Sequence, residues 1–187
     1  MIRPIRIYGD PVLHKRALEV TVFDQELREL VQDLYDTMDK APGVGLAAPQ
    51  IGVSLRVFVY SYPDDDDTPR RGVVINPTLT HSPIEAGPAD EELESEGCLS
   101  FPGERFALKR GAKVLVEGVD LDQNPVRIEA EDWFARIFQH EFDHLNGIIY
   151  VDKLSFDARQ EAFEVMKDLG WNKPGVSWLP GTDNLED

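Results

Sequence analysis

Apolar residues recur at intervals of three and four through positions 24–40, where Leu27, Leu30, Val31, Leu34, Tyr35 and Met38 share one face. That spacing predicts an amphipathic helix packed on a core. Asp24 stands where a cap belongs, and Lys40, Ala41, Pro42 and Gly43 end the run. The helix is assigned packing and no chemistry. A second helical pattern begins at Asp132. Phe134, Ile137, Phe138, Phe142 and Leu145 form a broad apolar sector, and Asn146-Gly147 supplies a left-handed stop. A third runs from a Ser155 cap, with Asp157 in its first turn and Phe156, Phe163, Val165, Met166 and Leu169 as packing, to a stop at Gly170.

Between these helices the period changes to that of strands. Residues 55–60, 72–80 and 109–120 carry alternating or continuous apolar patterns, with a shorter candidate at 127–129. Pro77 requires that its strand lie at an edge, end there or bulge. Residues 148–151 are apolar and read as extended, and the first twenty residues read as an extended arm turning at Gly9-Asp10-Pro11. These elements predict an α+β fold, a single compact domain with antiparallel or mixed sheets around the helix of residues 132–145. The catalytic domain is expected over residues 1–170. Residues 171–187, rich in glycine, proline, aromatic and acidic positions, form a tail expected to be partly mobile.

A chain of 187 residues is long enough for one sizeable core. Its net charge of −16 argues against nonspecific binding to nucleic acid or to an anionic membrane. No apolar run reaches membrane-spanning length, and the first eleven residues lack the hydrophobic section of a secretion signal, so a cytoplasmic location is expected. The one cysteine, Cys98, excludes an intrachain disulfide. Four aspartates at 64–67 read as a solvated loop, because a contiguous run has no inward geometry for a metal.

The chemistry concentrates in QHEFDHLNG, residues 139–147. On a helix, His140 and His144 stand about 40° apart and about 6 Å along the axis, so both can reach one divalent cation. Glu141 can take a proton from water held by that cation without being a ligand. A bare HExxH match also fits ordinary core-edge histidines. Two further segments bear on it. In ESEGCLSFPG, residues 94–103, a Cys98 thiolate completes a Cys-His-His set and leaves a fourth position open, although a buried cysteine is as often a small hydrophobe. The amide of Leu99 can face a substrate carbonyl. In GVGLAAPQ, residues 43–50, the glycines permit close backbone approach and Gln50 can donate to an oxygen gaining charge, although the segment alone also reads as a turn. His81 reads as a loop residue and His14 has no acid-base partners nearby in sequence.

These three motifs, GVGLAAPQ, EGCLS and QHEFDHLNG, occur in an order that resembles the bacterial-type peptide deformylases, and most of residues 1–170 fits that family's layout. The resemblance implies removal of the formyl group from N-formylmethionine at the N-terminus of newly made proteins, with release of formate. It implies one divalent metal held by Cys98, His140 and His144, usually Fe(II), with zinc, nickel or cobalt able to take its place. It implies Glu141 as catalytic acid/base, with Gln50 and the Leu99 amide as oxyanion contacts. Val44, Gly45, Trp133 and Ile137 then lie at the substrate, and Arg136 faces peptide or an internal acid. N-formylmethionyl nascent peptides are the implied partners, with transient proximity to the ribosome. Two other readings accompany this one: a zinc-dependent endopeptidase, and a catalytically inert metal-dependent peptide-binding module. The sequence is silent on oligomeric state.

Overall fold

The computed structural model describes residues 1–63, 66–183 and 185. Five strands form an antiparallel sheet in the order β2-β3-β4-β7-β8, comprising Gly45–Ala47, Val57–Pro63, Pro69–His81, Lys113–Val119 and Pro125–Glu131. A two-stranded hairpin of β5, Ser95–Cys98, and β6, Phe101–Ala107, stands apart from it. A third pairing joins β1, Ile5–Arg6, to β9, Ser177–Trp178, near the other end of the chain. The helices are α1, Gln25–Lys40, α2, Asp132–Leu145, and α3, Phe156–Asp168. Every strand pair in these sheets is antiparallel, and the architecture is α+β.

The α1 cap forms as expected, with Asp24 Oδ1 accepting from the Leu27 amide at 3.0 Å, and Ser155 accepts from Ala158 N at 3.4 Å. β8 passes into α2 without a loop. Asp132 makes that corner at φ 52°, and its N–H is held by Ala112 O at 2.9 Å. Phe134, Ala135, Phe138 and Leu145 then lie against Phe58, Val74, Val116 and Ala130 of the sheet. Burying a phenylalanine contributes about 1.5–3 kcal/mol, so this layer holds α2 firmly. The helix ends at Leu145, and the chain turns away at Gly147, φ 75°, where a Cβ would overlap the Lys15 backbone.

Pro77 sits in a bulge, since the β4–β7 register shifts between Ile75 and Thr78. Asn76, φ 51°, exchanges hydrogen bonds with the Val20 backbone there. Residues 148–151 are not extended throughout: Tyr150–Lys153 is a 3-10 turn, fixed by the Asp152 carboxylate accepting from Ile149 N at 3.0 Å. His81 is the last residue of β4 rather than a loop residue, and His14 closes a 3-10 turn at Pro11–His14. Of the 64–67 aspartate run, Asp64 and Asp65 lie outside the described residues, as do Asn184, Glu186 and Asp187 of the 171–187 tail. Within that tail Trp171 and Trp178 are buried. No helix among the described residues is long and apolar enough to cross a membrane.

Candidate metal centre

α2 projects His140 and His144 from one side, with their Nε2 atoms 3.2 Å apart. Cys98, at the end of β5, places Sγ 3.3 Å from His144 Nε2. The three donor atoms all lie within 4.8 Å of one another. Around a tetrahedral cation with nitrogen at about 2.05 Å and sulfur at about 2.3 Å, nitrogens stand about 3.3 Å apart and sulfur about 3.6 Å from each. The observed spacings fall close to those values, so the three residues form a site for one divalent cation.

Glu96 is the residue that sequence reasoning missed. Its carboxylate, 3% exposed, meets His140 Nδ1 at 2.7 Å, Arg110 Nε and Nη2 at 3.0 and 3.1 Å, and Arg136 Nη1 at 3.3 Å. Burial alone would raise its pKa. The hydrogen bond to His140 and the Arg110 charge outweigh that and hold it at about 2. A permanent carboxylate on Nδ1 keeps the proton there and leaves His140 Nε2 for the cation. Behind it, Arg110 also binds Asp143, which Lys153 pairs at 2.7 Å. Burial opposes the protonated form of His140, but the adjacent Cys98 sulfur and Glu96 raise its pKa overall. For His144, burial and the neighbouring His140 both act downward, so it remains a neutral imidazole. Glu96→Gln is expected to weaken metal binding roughly 10- to 100-fold, read by competition with a chelator; unchanged affinity would remove Glu96 from this part.

Glu141 turns toward β2, where a Cβ on Gly45 would overlap Glu141 Oε1 and displace the carboxylate. Its other oxygen, Oε2, is buried with no hydrogen-bond partner among the described residues. Burial pushes the Glu141 carboxyl up to about 7. A cation on the three donors would draw it back down. Gln50 is locked: its Oε1 accepts from Ala47 N at 2.8 Å, and its Nε2 donates to Ser100 Oγ at 3.3 Å with Cys98 Sγ 3.9 Å away. The donor end of the amide therefore faces the sulfur.

Beside these groups opens a cleft of about 210 Å³. Val44, Gly45, Trp133 and Ile137 all line it, together with Gln50, Cys98, Leu99, His140 and Glu141. Arg136 faces an internal acid: beyond Glu96 it reaches the Leu108 carbonyl, and its guanidinium lies 5.3 Å from the Trp133 ring centroid. His81 and His14 stay outside the cluster, with His81 Nδ1 2.7 Å from Ser82 O and His14 Nε2 accepting from Gly9 N at 3.1 Å. The buried Glu96-Arg110-Asp143 cluster left no signal in the sequence pattern, because its members come from separate elements.

Residues 2–160 match the family model described as "Polypeptide deformylase". A "Peptide deformylase" of Rhodococcus opacus is 50% identical over 185 residues, which cover 97% of this chain and 94% of that protein. "Peptide deformylase 2" of Corynebacterium efficiens is 48% identical over 97% of this chain and 95% of its own length. Among solved structures, a peptide deformylase from Legionella pneumophila superposes with TM-score 0.78 at 38% identity, covering 91% of this chain and 96% of the other. One from Synechococcus elongatus in complex with actinonin gives TM-score 0.76 at 34% identity, covering 92% and 91%. With the family's model matching residues 2–160 and a relative at half identity over nearly its whole length, the chain belongs to the polypeptide deformylase family.

Proposed function

We propose that the chain is a metal-dependent hydrolase that removes the formyl group from N-formylmethionine at the N-terminus of newly synthesised proteins. The observation that carries this is the convergence of Cys98, His140 and His144 beside Glu141, in a cleft whose apolar side is Val44, Trp133 and Ile137. The methionine side chain enters that apolar side, and the Gly45 backbone lies along the peptide. When bound, the divalent cation supplies a Lewis acid that polarises the formyl carbonyl and acidifies water. Fe(II) is the metal the family points to, with zinc, nickel or cobalt able to occupy the same donors.

Glu141 takes a proton from the attacking water as the water oxygen bonds to the formyl carbon. Negative charge then gathers on the former carbonyl oxygen, where the Gln50 amide and the Leu99 backbone N–H donate to it. The carbon–nitrogen bond breaks, Glu141 returns the proton to the departing amine, and formate leaves. A formyl group carries only hydrogen on its carbon. It therefore reaches this position where a bulkier acyl group would meet Gly45 and Leu99. The partners are N-formylmethionyl nascent peptides in the cytoplasm, met close to the ribosome.

The test is formate release from a formyl-methionyl peptide set against hydrolysis of its acetylated twin and of an internal peptide. Selective release of formate is expected. Efficient internal cleavage would favour a zinc endopeptidase instead. Gln50→Ala should leave metal content as in the parent and lower kcat/KM by about 100-fold, since one of two oxyanion donors is lost. Unchanged kinetics would take Gln50 out of that role.

A further inference from the structure

The 171–187 tail reaches the metal-binding loop through one hydrogen bond. Trp178, 3% exposed, donates from Nε1 to the carbonyl oxygen of Leu99 at 2.8 Å. That carbonyl and the N–H of Ser100 are the two ends of a single planar peptide. The Ser100 N–H donates in turn to Cys98 Sγ at 3.4 Å. The plane is thus held at one end by an indole from the tail and at the other by the sulfur of the metal centre.

The surroundings leave this peptide little freedom. Ser100 is fully buried, and its own carbonyl accepts from Tyr8 N at 2.8 Å. The indole is carried by β9, where Trp178 pairs with Ile5, and Ile7 N extends the contact to Val176 O at 3.0 Å. The Leu99 side chain closes against Gly43, where a Cβ would come within 2.8 Å of it. Arm, tail and glycine loop therefore meet at Leu99.

We propose that Trp178 is a positioning residue for deformylation: its indole N–H fixes the Leu99–Ser100 peptide, and through it the N–H on the Cys98 sulfur. The inference rests on the reading of Cys98 as a metal ligand. Without the indole donor a buried carbonyl is left unpaired, and the plane turns toward another partner. Its N–H then leaves the sulfur, and the thiolate regains the charge that the hydrogen bond had withdrawn. A packing role alone predicts none of this, because the apolar part of the ring would serve equally well.

Cobalt(II) loaded anaerobically gives the readout, since a thiolate ligand produces a sulfur-to-cobalt charge-transfer absorption whose energy follows the charge on sulfur. Trp178→Phe keeps an aromatic ring and removes the donor. Replacement of Trp178 by benzothienylalanine keeps the whole bicyclic shape and removes only the N–H, so it decides the matter should W178F fold poorly. In both, the absorption is expected to move to longer wavelength and kcat to fall roughly tenfold, with KM within about twofold of the parent. An unmoved absorption with parental kcat in the benzothienylalanine protein would overturn the proposal, whatever happens to the melting temperature. Absence of the absorption from the parent chain itself would instead remove Cys98 from the metal centre, and with it the reading on which this inference stands.

Discussion

Glu141→Gln should retain its metal and lose about 10⁴-fold in kcat, the upper end of what a positioned acid-base group contributes. The substitution is nearly isosteric, so the packing of the side chain on Gly45 survives. Cys98, His140 and His144 make up the donor cluster without it. What disappears is the ability to take a proton from water and to return it to the amine. Glu141 Oε2 has no partner among the described residues, so no internal hydrogen bond is sacrificed either. Formate release by E141Q within tenfold of the parent, at equal metal content, would take the proton-transfer role away from Glu141. Peptide affinity without formate release in the parent would point to an inert binding module.

Cys98→Ala is expected to act one step earlier, on metal retention. Structural sites of four ligands bind with about 10–16 kcal/mol, so one donor of the four accounts for roughly 2.5–4 kcal/mol, or about 10²- to 10³-fold in affinity. The two imidazoles remain, 3.2 Å apart at Nε2. Anaerobic purification followed by metal analysis reads the result directly. Equal metal in C98A and parent would contradict ligation by the sulfur. Activity should fall in step with metal and return in part at high added cation, which E141Q activity should not do.

Much of the fold was legible because α1 and α2 bury continuous faces whose period shows in sequence, down to the Asp24 cap. Pro77 announced its bulge for the same local reason, the missing N–H. The β5–β6 hairpin was hidden. Its interior holds Glu96, and a buried carboxylate reads as surface until the distant Arg110 and Arg136 are known to meet it. The run at 148–151 misled because an apolar stretch does not distinguish strand from turn, whereas Asp152 settles the backbone by hydrogen bonding. His140 and His144 were legible from motif spacing, Cys98 as a ligand was implied by the resemblance to the deformylases, and the structure brings the three ligating atoms together. The group that orients His140 was not found, because a pairing between positions 44 residues apart leaves no period to read. The Trp178 contact spans 79 residues and rests on a strand of two, which is too short to carry a pattern.

The β1–β9 pairing joins a segment made before the metal-binding helix to one made after it. A growing copy of this chain has its cysteine, both histidines and Glu141 outside the ribosome before Ser177–Trp178 has been threaded through the exit tunnel. Until that last stretch emerges, β1 lacks its partner strand and the Leu99 carbonyl lacks its indole. Each new molecule is thereby assembled in an order that withholds the finished loop until Trp178 has followed the metal-binding helix out.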